Sequence, residues 1–149
     1  MEFAVAVRLH SCAAMDGETE ESVFVGRGVL TQGTQSIELR YTTRNAQGEP
    51  HYAQLRFFPA QQRVVVRRPD GVMELVAGEE TQVVLARAAG SVLRGLAQTE
   101  ALQPIFEEER LQALSLHYHL QTADGVGLGD RSLHIQLDYS ETDEGNGQE

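Results

Sequence analysis

Leu114-Ser115-Leu116-His117-Tyr118-His119-Leu120-Gln121, followed by Leu133-His134-Ile135-Gln136-Leu137-Asp138-Tyr139, puts an apolar side chain at every second position of two nearby segments. Successive residues of a strand point to opposite faces, so a period of two means one apolar face and one polar face. The glycine-bearing stretch between them, Asp124 to Gly129, suits a hairpin loop. The same period opens the chain. Phe3, Val5, Val7 and Leu9 alternate with Ala4, Ala6, Arg8 and His10, and Asp16-Gly17 then marks a turn.

Working inward, Val23 and Val25 share one face of a second strand, which Gly26 and Gly28 could bend or bulge. Ile37, Leu39 and Tyr41 form a third, and after a loop around Asn45 to Pro50 come Ala53, Leu55 and Phe57. Pro59 to Gln62 turns the chain into Val64 and Val66, and Pro69-Asp70-Gly71 is a hairpin signal before Met73 and Leu75. Val83 and Leu85 follow. Residues 91–111 support two readings. Ser91 to Thr99 fits a strand with Gly95 as a bulge, or the start of a helix. Ala101 to Leu111 would accept a short helix beginning near Pro104. About nine or ten short strands joined by hairpins predict an all-β fold. The expected form is a closed or nearly closed antiparallel up-and-down barrel, since closure removes exposed strand edges. A two-sheet sandwich is the other arrangement this pattern allows. Residues 1–139 form the expected single domain, and the acidic, non-periodic residues 140–149 a disordered tail.

Composition narrows the function. The formal net charge of −10 argues against binding nucleic acid or an anionic membrane surface, both of which need clustered positive charge. All twelve basic residues are arginine, so lysine-based Schiff-base and P-loop chemistry is excluded. Cys12 is the only cysteine, which rules out an internal disulfide and fits a reducing, cytoplasmic setting. Leu9-His10-Ser11-Cys12 faintly resembles a lipoprotein cleavage box. The segment before it opens with Glu2 and is broken by Arg8 and His10, so it reads as a strand. No run approaches the roughly 18 apolar residues of a membrane-spanning helix.

Several elements together carry a family resemblance. They are Val5-x-Val7-x-Leu9 before Asp16-Gly17, a glycine-containing second strand, Ile37-x-Leu39-x-Tyr41, and Arg63-Val64-Val65-Val66-Arg67 before Asp70-Gly71. Leu116-His117-Tyr118-His119-Leu120 and Leu133-x-Ile135-x-Leu137-x-Tyr139 close the chain. Over residues 3–139 the order resembles the YwiB-like family of small bacterial proteins. The resemblance implies a lipocalin-like, or calycin, barrel. It brings no catalytic residues, because that family has no assigned activity. The chain lacks the Gly-x-Trp of true lipocalins. Its Asp16-Gly17 turn leaves no room for the paired helices of fatty-acid-binding proteins.

Two side-chain sets stand out. His117 and His119 share a strand face, and a hairpin with aligned apolar faces would bring His134 opposite one of them. Three imidazoles so placed could ligate zinc and leave a position for water, with His10 joining if the first and last strands meet. Gln136 and Asp138 would then be supporting partners. The plainer reading is a solvated polar face. The second set is arginine: residues 40–68 hold six of them against the single acid Glu49. Arg40, Arg56, Arg63 and Arg67 would share the outer face of three neighbouring strands and could hold an anion or an acidic partner. Here too the plainer reading is solvated cross-strand pairs such as Glu38–Arg56. The chain therefore reads as a binding barrel for a small, partly apolar molecule or a protein partner, with no cofactor called for. A metal-dependent hydrolase or lyase at the histidines is the alternative. Oligomeric state is not legible.

Overall fold

The computed structural model describes residues 1–44, 47–69, 71–86 and 92–139; at 85, 86, 92 and 93 it describes the backbone alone. The expected acidic tail, and Asp70 of the hairpin signal, lie outside the described residues. Ten strands follow one another: β1 (Glu2–Met15), β2 (Glu18–Gln32), β3 (Ile37–Arg44), β4 (Pro50–Phe58), β5 (Arg63–Arg68), β6 (Gly71–Val76), β7 (Glu80–Ala86), β8 (Val92–Glu107), β9 (Arg110–Thr122) and β10 (Gly127–Asp138). Among the described residues the one helical turn is a 3-10 turn at Pro59–Gln61. Each strand pairs antiparallel with its neighbour in sequence, and β1 pairs with β10, so the sheet is a closed up-and-down barrel. The alternation predicted from the sequence is the inside–outside alternation of this wall. Val5, Val7, Leu39, Leu55, Phe57, Val64, Leu75, Leu114, Leu116 and Ile135 are buried in one apolar cluster that every strand faces.

The wall is uneven. β1, β2, β8, β9 and β10 are 14, 15, 16, 13 and 12 residues long, while β3 to β7 are 8, 9, 6, 6 and 7. At about 3.3 Å per residue one side of the barrel is a long wall and the other a short one.

Local chemistry explains the turns. Asp16 and Gly17 both have positive φ, 53° and 82°, as a two-residue hairpin turn requires. Residues 91–111, open between helix and strand in the sequence, are strand β8 from Val92 onward, followed by a tight turn at Glu108-Glu109. The strand bulges between Thr99 and Ala101, and at Ile105/Phe106 the ladder shifts again because Gln112 of β9 is the extra residue. Pro104 stands beside the second irregularity, a place where a strand tolerates a missing N–H. Gly95 is not a bulge: its pairing runs in register on both sides. Nor do Gly26 and Gly28 bulge β2, which pairs in unbroken register with β1 and β3. Both are needed for close approach. A Cβ at Gly26 would sit 1.9 Å from the Thr42 carbonyl oxygen, and one at Gly28 2.4 Å from that of Arg40.

One barrel end is stoppered. Phe3 and Tyr139 meet edge to face at 5.5 Å, and the Arg110 guanidinium stacks 4.8 Å from the Tyr139 ring. The Tyr139 hydroxyl donates to the Leu111 carbonyl at 2.5 Å, which pins this plug across the end. Among the described residues no comparable plug crosses the other end.

Candidate functional site

The end opposite the plug carries a hollow of about 530 Å³. Leu9, Phe24, Tyr41 and Ala53 give it an apolar, aromatic lining, and Thr43, His51 and Arg68 add polar groups at the rim. It lies over the short wall, because β3, β4 and β5 end there while the long wall continues. Tyr41 lines it and is buried, and Tyr118 is buried on β9. Burial raises both phenols above their ordinary value of 10, and the positive charge of Arg68 opposes the rise in each. Arg131 also acts on Tyr118, opposite which it stands in the β9–β10 ladder. Arg68, which lines the hollow, therefore bears on both tyrosines. The sequence reading did not find this group: Arg68 and His51 share the inward parity of Val66 and Ala53, but which inward polar residues meet at one end depends on where the strands stop.

The four arginines of the predicted patch do share the outer face of β3 to β5, but they are not equivalent. Glu38 accepts from Arg56 at 2.9 Å, as the expected register requires, and Arg40 lies 3.8 Å from the same carboxylate. The Arg56 hydrogen bond holds the Glu38 carboxyl below the ordinary value of 4.5 against partial burial, with Gln54 helping. Arg63 is paired with Glu74 and stacks 4.7 Å over the Phe58 ring. Arg67 has no ion pair among the described residues. It lines a second, shallower hollow of about 540 Å³ with Arg27, Arg40, Tyr52 and Gln54. No acidic side chain lines that hollow among the described residues. The patch thus divides into a paired part, Arg40, Arg56 and Arg63, with Arg40 also 3.9 Å from Glu2, and an open part, Arg67, which gains Arg27 from β2.

The histidines regroup as well. β1 and β10 do meet, and His10 is the direct partner of His134. His134 stands opposite Ser115 in β9, with Ser115 Oγ 2.8 Å from its Nδ1, while His10 Nε2 lies 2.9 Å from Glu21. Opposite His117 is Ser132, and opposite His119 is Asp130. His134 is therefore directly opposite neither His117 nor His119, although it lines a hollow with His117, and Gln136 and Asp138 are not the residues opposite His117 and His119. Alternation assigns faces, but register depends on the loop, and an irregularity between Gly127 and Gly129 shifts it. What gathers instead is Glu100 with His117 and His119. Thr99 pairs with Tyr118 and Ala101 with His117, so Glu100 is the extra residue of the β8 bulge. A bulge re-aims side chains, and here it turns Glu100 over the outer face of β9. His119 Nε2 lies 2.6 Å from Glu100 Oε2, His117 Nδ1 3.1 Å from Glu100 Oε1, and His119 Nδ1 bonds Asp130. The hydrogen bond to Glu100 lifts the His119 pKa above 6.5; slight desolvation opposes it and Asp130 reinforces it.

No protein-family profile and no curated protein sequence matches the chain. Among solved structures, the ywiB protein from Bacillus subtilis is similar, with a TM-score of 0.71 over 93% of each chain and 16% sequence identity. At that identity the likeness is one of fold. It agrees with the barrel that the sequence resemblance implied and carries no residue roles. No helix among the described residues is long and apolar enough to cross a membrane.

Proposed function

We propose that the barrel is a binding protein whose open mouth takes a small molecule with an apolar body and an anionic head. The observation that carries this reading is the hollow of about 530 Å³ at the end opposite the plug. Small-molecule sites typically measure about 300–1,000 Å³, with mostly apolar and aromatic linings and a few placed polar groups. Leu9, Phe24, Tyr41 and Ala53 would take the apolar body. Arg68 at the rim supplies the charge for a carboxylate or phosphate, which a guanidinium binds in a forked pair. The ligand would sit in the mouth and not at the centre, where Phe57, Leu39, Leu55 and Leu116 fill the space.

Native mass spectrometry of freshly purified protein, compared with its denatured mass, is the first test, with added mass of a few hundred daltons the supporting result. Calorimetric titration with a medium-chain carboxylic acid and with its methyl ester then tests the head group. One-to-one binding of the acid, weakened at least about tenfold by Arg68→Gln, supports the reading. Equal binding of acid and ester would remove the anion from it, and no saturable binding of either would remove the ligand.

A second reading has its own observation, the shallow hollow carrying Arg27, Arg40 and Arg67 without a lining acid. It suits an acidic protein partner. Salt-sensitive capture of an acidic peptide, lost in Arg27→Gln/Arg67→Gln and kept in Arg56→Gln, would favour it.

A further inference from the structure

On the outer face of the long wall, away from the mouth, four side chains from three neighbouring strands converge. Strand periodicity sets His117 and His119 side by side on β9, their rings 5.4 Å apart. The bulge in β8 adds Glu100 above them, and β10 brings Asp130 to the far side of His119. We propose that Glu100, His117 and His119 hold one divalent transition-metal ion, zinc by the chemistry of the donors, with Asp130 orienting His119.

Several observations support this. One donor atom from each of the three residues lies within 4.8 Å of the others. Ligand atoms around a tetrahedral zinc, each about 2.0–2.2 Å from it, are roughly 3.3 Å apart, so small side-chain rotations suffice. Two imidazoles and one carboxylate form a donor set that suits zinc and its neighbours better than magnesium or calcium, which prefer oxygen alone. Asp130 adds a feature that a chance cluster does not need. It holds His119 through Nδ1, which turns Nε2 toward Glu100. Metal-bound histidines are commonly held in this way, by a carboxylate on the ring nitrogen away from the metal. Charge also fits, since two carboxylates balance a doubly charged ion. The small neighbours Ala101 and Ser132, opposite His117 on either side, leave the face clear. Three protein ligands on an exposed wall leave at least one coordination position open to water or to a donor from another molecule. His10 and His134, one register step away, are outside the set and serve as internal controls.

The test uses the untagged full chain, freed of metal with a chelator and titrated with zinc chloride by calorimetry and native mass spectrometry. One zinc per chain is expected. His117→Ala and His119→Ala should each weaken binding about a hundredfold or more. Asp130→Asn should weaken it about 10–100-fold, the usual range for an orienting carboxylate. His134→Ala should leave it unchanged. Circular dichroism and thermal melts of the zinc-free variants check that each still folds. Cobalt(II) should give visible absorption bands that His119→Ala removes. No one-to-one uptake, or uptake lost in His134→Ala but kept in His119→Ala, would overturn the site. Uptake that Asp130→Asn leaves untouched would overturn the role given to Asp130.

Discussion

The short wall, β3 to β7, and the long wall, β8 to β10 with β1 and β2, line one core but spend their outward positions differently. On the short wall, arginines surround one carboxylate, Glu38, and positive charge remains over at Arg67. On the long wall the order inverts: Glu100 and Asp130 bracket His119, and Glu21 meets His10. A chain with net charge −10 has thus separated its signs around the barrel. Inward residues are constrained by packing, which both walls satisfy with the same Val, Leu, Ile and aromatic set. Outward residues are free of that constraint, so the difference between the walls resides there. The short wall is suited to anions and the long wall to cations.

The largest expected effect lies at the seam where β2 of the long wall meets β3 of the short one. Gly26→Ala would place a Cβ 1.9 Å from the Thr42 carbonyl oxygen and force the strands apart. A cost of about 3 kcal/mol is expected, the upper end for overpacking because backbone must move. Gly127→Ala is the matched control on the long wall, since a Cβ there meets nothing within 4 Å. Urea unfolding of the two variants measures the contrast. Equal midpoints would mean the walls are not locked together at this seam.

Much of the fold was legible because burial acts on every second residue. Phe3 to Leu9, Ile37 to Tyr41 and Leu133 to Tyr139 each announced a strand and its inner face. Residues 91–111 were ambiguous for a physical reason. The bulge at Glu100 breaks the period of two in β8, and Glu107-Glu108-Glu109 lacks the glycine or asparagine that usually marks a hairpin turn. The candidate sites were half legible. Faces were read correctly, so His117 with His119 and Arg40 with Arg67 were placed together. Glu100 and Asp130 were missed because a bulge and a shifted hairpin decide which outward residues meet, and neither leaves a mark in composition or period. Glu38–Arg56 was found because the β3–β4 ladder runs without interruption.

That same Glu108-Glu109 turn gives the next expected effect, a gain in stability. Both residues have positive φ, 54° and 67°, where a Cβ is crowded. Glu108→Asn/Glu109→Gly keeps the turn and relieves the crowding, so a gain of about 1 kcal/mol is expected. Gln32 Nε2 donates to the Glu109 carbonyl at 2.7 Å, a bond both substitutions leave intact. A thermal melt that moves down instead of up would show that this end of the long wall holds the turn without strain.

The smallest effect probes the short wall's charge cluster. The Glu38 side chain is only 18% exposed, but Arg56 is 48% exposed, so solvent screens the pair and its worth is below about 1 kcal/mol. Its pH dependence has a definite sign. The folded-state pKa of Glu38 is lowered from the ordinary 4.5, chiefly by the Arg56 hydrogen bond. The stabilisation is therefore complete above that ordinary value and disappears as pH falls through the lower folded value. Glu38→Gln should destabilise the protein at pH 7 and make progressively less difference in acid. Combining it with Arg56→Gln should show that the two losses are not additive, because one contact underlies both. If Glu38→Gln cost the same at pH 7 and pH 3, the carboxylate's contribution would be packing and not charge. Arg56 would then be as available to an anion as Arg67, and the line drawn between the paired and open parts of the short wall would have to be erased.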